Sequence, residues 1–211
     1  MIAIVDYGMG NLRSVERKLS QLSKNSVVTC DATTIEEADA IILPGVGHFG
    51  KAMEALKQRD LIHVLNTAVL EKKTPILGIC LGMQLMTQGS EEGGTEGLNW
   101  FSCKTERLSV EDPYSIKIPH VGWNTIDFIT EQTILRHIPT GSEVYFVHSF
   151  GVLEAPKDDV LTTTNYGNTF ISSLKKDHIV GMQFHPEKSH DIGLQLFQNF
   201  IDSISPCTDR A

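Results

Sequence analysis

The run from Thr74 to Met86, Thr-Pro-Ile-Leu-Gly-Ile-Cys-Leu-Gly-Met-Gln-Leu-Met, constrains the fold of this chain more than any other segment. A short apolar stretch of the kind that forms a buried strand leads without a spacer into the start of a helix, and Cys80 stands at the junction. Gly78 and Gly82 flank it in a G-x-C-x-G pattern, and small flanking residues let the backbone turn sharply there, as at a nucleophile elbow. A thiol in the first helical turn faces unpaired backbone N–H groups and the positive end of the helix dipole, which favour a thiolate. The same N–H groups can hold the negative oxygen of a tetrahedral intermediate. The competing reading is a buried cysteine acting as a small hydrophobe.

The first half of the chain repeats this strand-then-helix rhythm. Ile2 to Val5 is followed by the amphipathic stretch Leu12 to Leu22, Val27-Val28 and Ala40 to Leu43 by Ala52 to Leu70, and Ile76 to Ile79 by Gln84. The rhythm predicts a mostly parallel central sheet with helices on both faces. Short strand-like runs follow at Thr105–Leu108, Ser115–Ile118, Thr125–Phe128, Glu143–Val147, Val160–Thr164, Thr169–Ser173 and Ile179–Gln183. These predict added antiparallel strands, closed by a helix from Ile192 to Ile204. With 211 residues and 41% hydrophobic content, one α/β domain over 1–204 with a polar tail over 205–211 is expected.

A net charge of −8 argues against a nucleic-acid partner. No apolar run approaches the roughly 20 residues of a membrane span. Cysteines 30, 80, 103 and 207 lack metal-site spacing, and the opening Met-Ile-Ala-Ile-Val has no basic leader, so a cytoplasmic protein with reduced thiols, no metal and no cofactor is expected. Gly8-Met9-Gly10 follows a strand, but Arg13 occupies the third glycine position of a dinucleotide fingerprint. His185-Pro186-Glu187 and Pro206-Cys207 lack the second cysteine of a zinc deaminase.

The second chemical signal is Gly181-Met182-Gln183-Phe184-His185-Pro186-Glu187-Lys188, an apolar strand ending in His-Pro-Glu. Residues two apart in extended backbone point the same way, so Glu187 can orient the His185 imidazole, and His185 can take a proton from Cys80. Alone, His185 reads equally as a core histidine and Glu187 as a solvated charge. An elbow cysteine together with a strand-end His-x-Glu meets the needs of one mechanism.

With Asp6-Tyr7-Gly8-Met9-Gly10-Asn11, Leu43-Pro44-Gly45-Val46-Gly47, Gly78 to Gln84, Pro119-His120-Val121-Gly122-Trp123-Asn124, Tyr145 to Ser149 and Gln183 to Lys188, the chain resembles a class I (triad-type) glutamine amidotransferase. More narrowly, it is similar to the glutaminase subunits of imidazole glycerol phosphate synthase. The resemblance implies a single-domain class I amidotransferase fold and a Cys80–His185–Glu187 triad that hydrolyses L-glutamine to glutamate and ammonia. It also implies an oxyanion hole from the backbone of Val46 and Leu81, and glutamine contacts from Gly47 and Gln84. Gln84 lies four residues past Cys80 and so shares its helical face. The implied partner is a (βα)8 cyclase subunit forming a heterodimer and receiving channelled ammonia in histidine biosynthesis, with Asn11, Lys188 and the Pro119-to-Asn124 loop carrying Trp123 facing it.

Each interface residue has a plainer reading: Asn11 as a helix cap, Lys188 as a solvated charge, Trp123 as core. The chain departs from the family pattern at Gly97 to Cys103 and at Val121, where methionine is frequent. Two other functions remain open at this stage. One is a paralogous glutaminase serving a cyclase-like partner in bacterial surface-sugar synthesis, and the other is a binding module of the same fold.

Overall fold

The computed structural model describes residues 1–110 and 116–204. Strands run at β1 (Ile2–Val5), β2 (Ser26–Thr29), β3 (Ala40–Gly45), β4 (Ile76–Cys80), β5 (Gly89–Ser90), β6 (Thr95–Glu96) and β7 (Thr105–Arg107). They continue at β8 (His120–Phe128), β9 (Ser142–His148), β10 (Phe150–Val152), β11 (Val160–Tyr166), β12 (Asn168–Lys176) and β13 (Ile179–Met182). The helices are α1 (Leu12–Gln21), α2 (Ala32–Glu36), α3 (Phe49–Gln58), α4 (Leu61–Asn66), α5 (Leu81–Leu85) and α6 (His190–Ile204).

The heart of the sheet is the parallel array β2-β1-β3-β4-β13. Its inner strands β1, β3, β4 and β13 are buried along their whole length because both faces are covered, whereas the edge strand β2 is half-buried. Ala3 and Val5 of β1 point into a core shared with Phe49, Ala52 and Leu56 of α3 and Leu61 and Leu65 of α4. Ile2 and Ile4 point into an opposite core with Val15 and Leu19 of α1 and Leu196, Phe197 and Phe200 of α6. Beyond β13 the sheet continues antiparallel through β12, which also pairs with β11 and leads to the β8–β9 hairpin. The sheet and its two helical layers match the predicted fold class.

Three local expectations need correction. The single helix over Ala52 to Leu70 starts at Phe49 and breaks at Arg59–Asp60, where Asp60 adopts a left-handed conformation (φ 56°), and its last turn is a π-helix over Thr67–Glu71. The broken pieces keep one apolar face on the same core, so the periodicity survives the break that ends α3. The segment carrying Trp123 is not a loop: it belongs to the nine-residue strand β8, paired residue for residue with β9. Residues 116–118 form no strand, and Ser115, the tail over 205–211 and Cys207 lie outside the described residues.

Candidate active site

Parallel pairing of β3 with β4 brings Gly45 directly opposite Cys80, so the ends of the two strands share one carboxyl edge of the sheet. Cys80 ends β4 and caps α5 with φ 53° and ψ −108°, a conformation in which an L-residue is strained. Its neighbours make that turn feasible. A Cβ on Gly82 would collide with the carbonyl oxygen of Leu43, and one on Gly78 would lie 2.8 Å from the backbone nitrogen of Met83. The glycines thus let α5 start almost in contact with β3, and Cys80 is presented at the floor of a cavity of about 280 Å³. That volume is near the small end of ligand pockets, which suits an amino-acid-sized molecule.

Val46, Gly47, Leu81 and Gln84 line this cavity with Cys80. Gln84 is more committed than the sequence implied. Its Nε2 donates to the carbonyl oxygen of Phe150 at 2.8 Å and to Oε1 of Gln183 at 3.0 Å. Both partners are acceptors, so the amide orientation is fixed and Oε1 is the group left for a ligand. Gln183 passes the contact on, its Nε2 donating to Sγ of Cys80 at 3.6 Å.

His185 and Glu187 lie behind the cysteine, with side chains only 1% exposed. Nδ1 of His185 donates to Oε1 of Glu187 at 2.8 Å, leaving Nε2 as the atom available for proton transfer. Nε2 is buried with no partner in hydrogen-bonding geometry. Burial is the largest influence on this imidazole and would lower its pKa. The pull of Cys80 and Glu187 together outweighs burial and raises it to about 10. The unpaired Nε2 places the Cys80 contribution short of a formed hydrogen bond, as is common in resting active sites.

Several residues at the site gave no signal in sequence. Glu92 lines the cavity, and its Oε2 accepts from the backbone N–H of Phe49 at the start of α3. That contact leaves Oε1 to receive a cationic ligand group. His148 lines the cavity too, its Nδ1 donating to the Phe150 carbonyl at 2.8 Å. Its Nε2 must therefore accept, and it does so from Nδ1 of His120 at 3.3 Å. Burial pushes His120 down to about 4 and His148 to about 3, so both are neutral near pH 7. Tyr7, fully buried, has no partner for its hydroxyl. Tyr7, His120 and His148 stand in segments that carry the family resemblance and Glu92 outside them, but no local pattern gives any of the four a role, because their partners are distant in sequence.

The expected partner-facing residues lie outside the cavity. Trp123 is 45% exposed, so it is not core, and it stacks on His190 at 4.9 Å. Lys188 is exposed over the Tyr145 ring at 5.2 Å, and Tyr145 also meets the edge of Trp123. Asn11 precedes α1 but makes no side-chain cap bond. Among the described residues no group of three or more His, Cys, Asp or Glu side chains is placed to hold a metal. No described helix is long and apolar enough to cross a membrane.

The class-I glutamine amidotransferase family matches residues 3–204, and the chain belongs to that family. Among curated proteins it is 45% identical over 201 residues to imidazole glycerol phosphate synthase subunit HisH 2 of Methanococcus maripaludis, covering 95% of this chain and 98% of the relative. The subunit HisH of Aquifex aeolicus is 45% identical over 199 residues (93% and 94% covered), and HisH 2 of Pseudomonas aeruginosa is 40% identical over 204 (97% and 100%). Two solved structures, a glutamine amidotransferase (TM-score 0.75, 14% identity, 97% and 99% covered) and PurLQS from Thermotoga maritima (TM-score 0.71, 18%, 97% and 98%), share the fold.

The neutral histidine pair sets a pH dependence. An unfolded histidine titrates near 6.5, so as pH falls from about 6.5 towards about 4 the unfolded chain takes up protons that native His120 and His148 refuse, and stability is lost. His185 has the opposite sign: its stabilisation is complete below about 6.5 and disappears as pH rises through about 10. Guanidinium unfolding at pH 7.5 and 4.5 should show a smaller acid loss in His120→Asn than in the wild type. Equal losses would contradict the assignment.

Proposed function

We propose that this chain is the glutamine-hydrolysing subunit of imidazole glycerol phosphate synthase, working in the cytoplasm and supplying ammonia to a cyclase subunit in histidine biosynthesis. The observation that carries the reading is Cys80 on its strained turn, facing an amino-acid-sized cavity and backed by the buried His185–Glu187 pair. The HisH relatives, similar over nearly their whole length, favour the histidine pathway over a surface-sugar acceptor. The free state of Cys30, Cys80 and Cys103 suits a reducing compartment.

In this mechanism the Cys80 sulfur attacks the side-chain amide carbon of L-glutamine while backbone N–H groups of Val46 and Leu81 hold the oxyanion. The carbon–nitrogen bond breaks as His185 Nε2 protonates the departing nitrogen, leaving ammonia and a γ-glutamyl thioester. Water then attacks the thioester, giving a proton to His185; the carbon–sulfur bond breaks, glutamate leaves, and the proton passes from His185 to the Cys80 sulfur. Glu187 keeps the imidazole in the required tautomer. Oε1 of Gln84 and the free carboxylate oxygen of Glu92 are suited to the substrate's α-ammonium group, with Gly47 backbone beside them. Ammonia released into bulk water near neutral pH would protonate, so delivery needs an enclosed path into a docked partner. The exposed surface of Trp123, Lys188 and His190, with Asn11, offers an aromatic anchor beside the Lys188 cation for a (βα)8 partner in a heterodimer.

The segment Pro44 to Gly47 is also suited to gating. Gly47 has φ 112°, and a Cβ there would lie 2.7 Å from Cε of Met9; one on Gly10 would lie 3.3 Å from the Pro44 carbonyl oxygen. A partner contact at Asn11 is thus one residue from backbone that touches the oxyanion segment. A flip of the Gly45–Val46 peptide would complete the hole only in the working complex.

Cys80→Ala should lower glutamate release by several orders of magnitude while leaving ammonia-driven synthesis by the complex intact. Substantial surviving glutaminase activity would rule out the nucleophile. The isolated wild-type chain should turn over about a hundredfold to a thousandfold more slowly than the complex with acceptor substrate, equivalent to roughly 3–4 kcal/mol or one oxyanion donor. A lone chain at full rate would mean a preformed hole.

A further inference from the structure

A buried hydroxyl without an acceptor costs about 1–3 kcal/mol, so a native fold that keeps one invites an explanation. Tyr7 leaves the end of β1 with its ring fully buried and its hydroxyl unpaired. A Cβ built on Gly45 would collide with that hydroxyl, and would lie 2.9 Å from Leu81 Cβ and 3.1 Å from the Gly82 nitrogen. One proton donor therefore packs directly against Gly45, on the side of that residue that also faces the start of α5 at Leu81 and Gly82. Burial first, and the charge at Cys80 second, hold its pKa well above the ordinary phenol value, so the proton stays on the oxygen.

Chain continuity adds a second argument. Tyr7 is tied within four residues to Met9, which crowds Gly47, to Gly10, which crowds Pro44, and to Asn11 at the surface. The segment therefore touches the oxyanion strand at Pro44, Gly45 and Gly47. If the Gly45–Val46 peptide turns its N–H towards the substrate oxyanion, the Gly45 carbonyl turns the opposite way, because the two groups of one trans peptide point in opposite directions, and it then needs a donor. Water has no ready access there, since Gly45 and Tyr7 are both buried.

We infer that Tyr7 is a positioning residue whose hydroxyl, idle in the resting fold, donates to the Gly45 carbonyl when the oxyanion hole forms. The inference rests on the glutaminase reading above and adds a residue to it. It also explains why position 45 is glycine: any side chain would occupy the space of the hydroxyl.

The test is Tyr7→Phe, which removes one oxygen from a site where it has no resting partner. Wild type and variant are compared as complexes with the cyclase subunit and its substrate, by glutaminase kcat and KM, and as lone chains by thermal unfolding. Because the contact exists only in the working state, kcat should fall about tenfold, as for one lost hydrogen bond, with KM little changed. The melting temperature should stay the same or rise. An unchanged kcat beside an active wild-type complex overturns the inference and leaves the glutaminase reading standing. So does a clear loss of melting temperature, which would mean a resting partner for the hydroxyl. A wild-type complex that releases no glutamate overturns the glutaminase reading and this inference together.

Discussion

The contact between Gly82 and the Leu43 carbonyl governs the rest of this molecule. Two neighbouring parallel strands end side by side, and a helix must leave one of them without striking the other. With any side chain at position 82 the helix would be pushed off β3, and Cys80 would no longer face Val46 across the strand ends. The strain at Cys80, with its positive φ, is tolerated because apolar strands and helical layers hold β3 and β4 in place from both sides. The sheet core thus supports a backbone conformation that an isolated strand–helix junction would relax.

A polar chain runs through the other side of the site. Asn124 approaches His120, His120 donates to His148, and His148 and Gln84 both donate to the Phe150 carbonyl. Gln84 and Gln183 then carry the chain to the Cys80 sulfur. Each link has its donor and acceptor set by the next, which fixes both histidine tautomers and both amide orientations without any charge in the interior. The one strongly cationic tendency is confined to His185, where Glu187 offsets it. An ordered neutral network on one side of Cys80 and a localised charge at His185 on the other suit the proposed transfer of a proton between sulfur, nitrogen and water.

The fold was legible wherever burial imposed a period. Ile2–Val5, Ala40–Leu43 and Ile76–Ile79 read as strands because both faces are covered, and Leu12–Leu22 read as a helix because only one is. The break at Asp60 was hidden, since a left-handed residue between two helices leaves the apolar spacing intact. Trp123 read as a loop residue because Gly122 and Pro119 flank it, whereas pairing with β9, distant in sequence, makes it part of a strand. At the site, Cys80, His185 and Glu187 stood out because their chemistry demands fixed local patterns. Tyr7, Gln183 and the His120–His148 pair lie in segments that carry the resemblance yet gained no role from it, and Glu92 lies outside them, because only the folded sheet brings their neighbours near.

Covalent labelling tests the central claim most directly. The complex is treated with an electrophilic glutamine analogue, and the modified cysteine is located by peptide mass mapping. Cys103 is buried, with its thiol pushed up to about 12 chiefly by burial, while Cys30 is exposed but away from the cavity. The expected result is a single adduct on Cys80, suppressed by excess glutamine. An adduct on Cys30 that glutamine does not suppress, or no adduct on Cys80, would contradict the account.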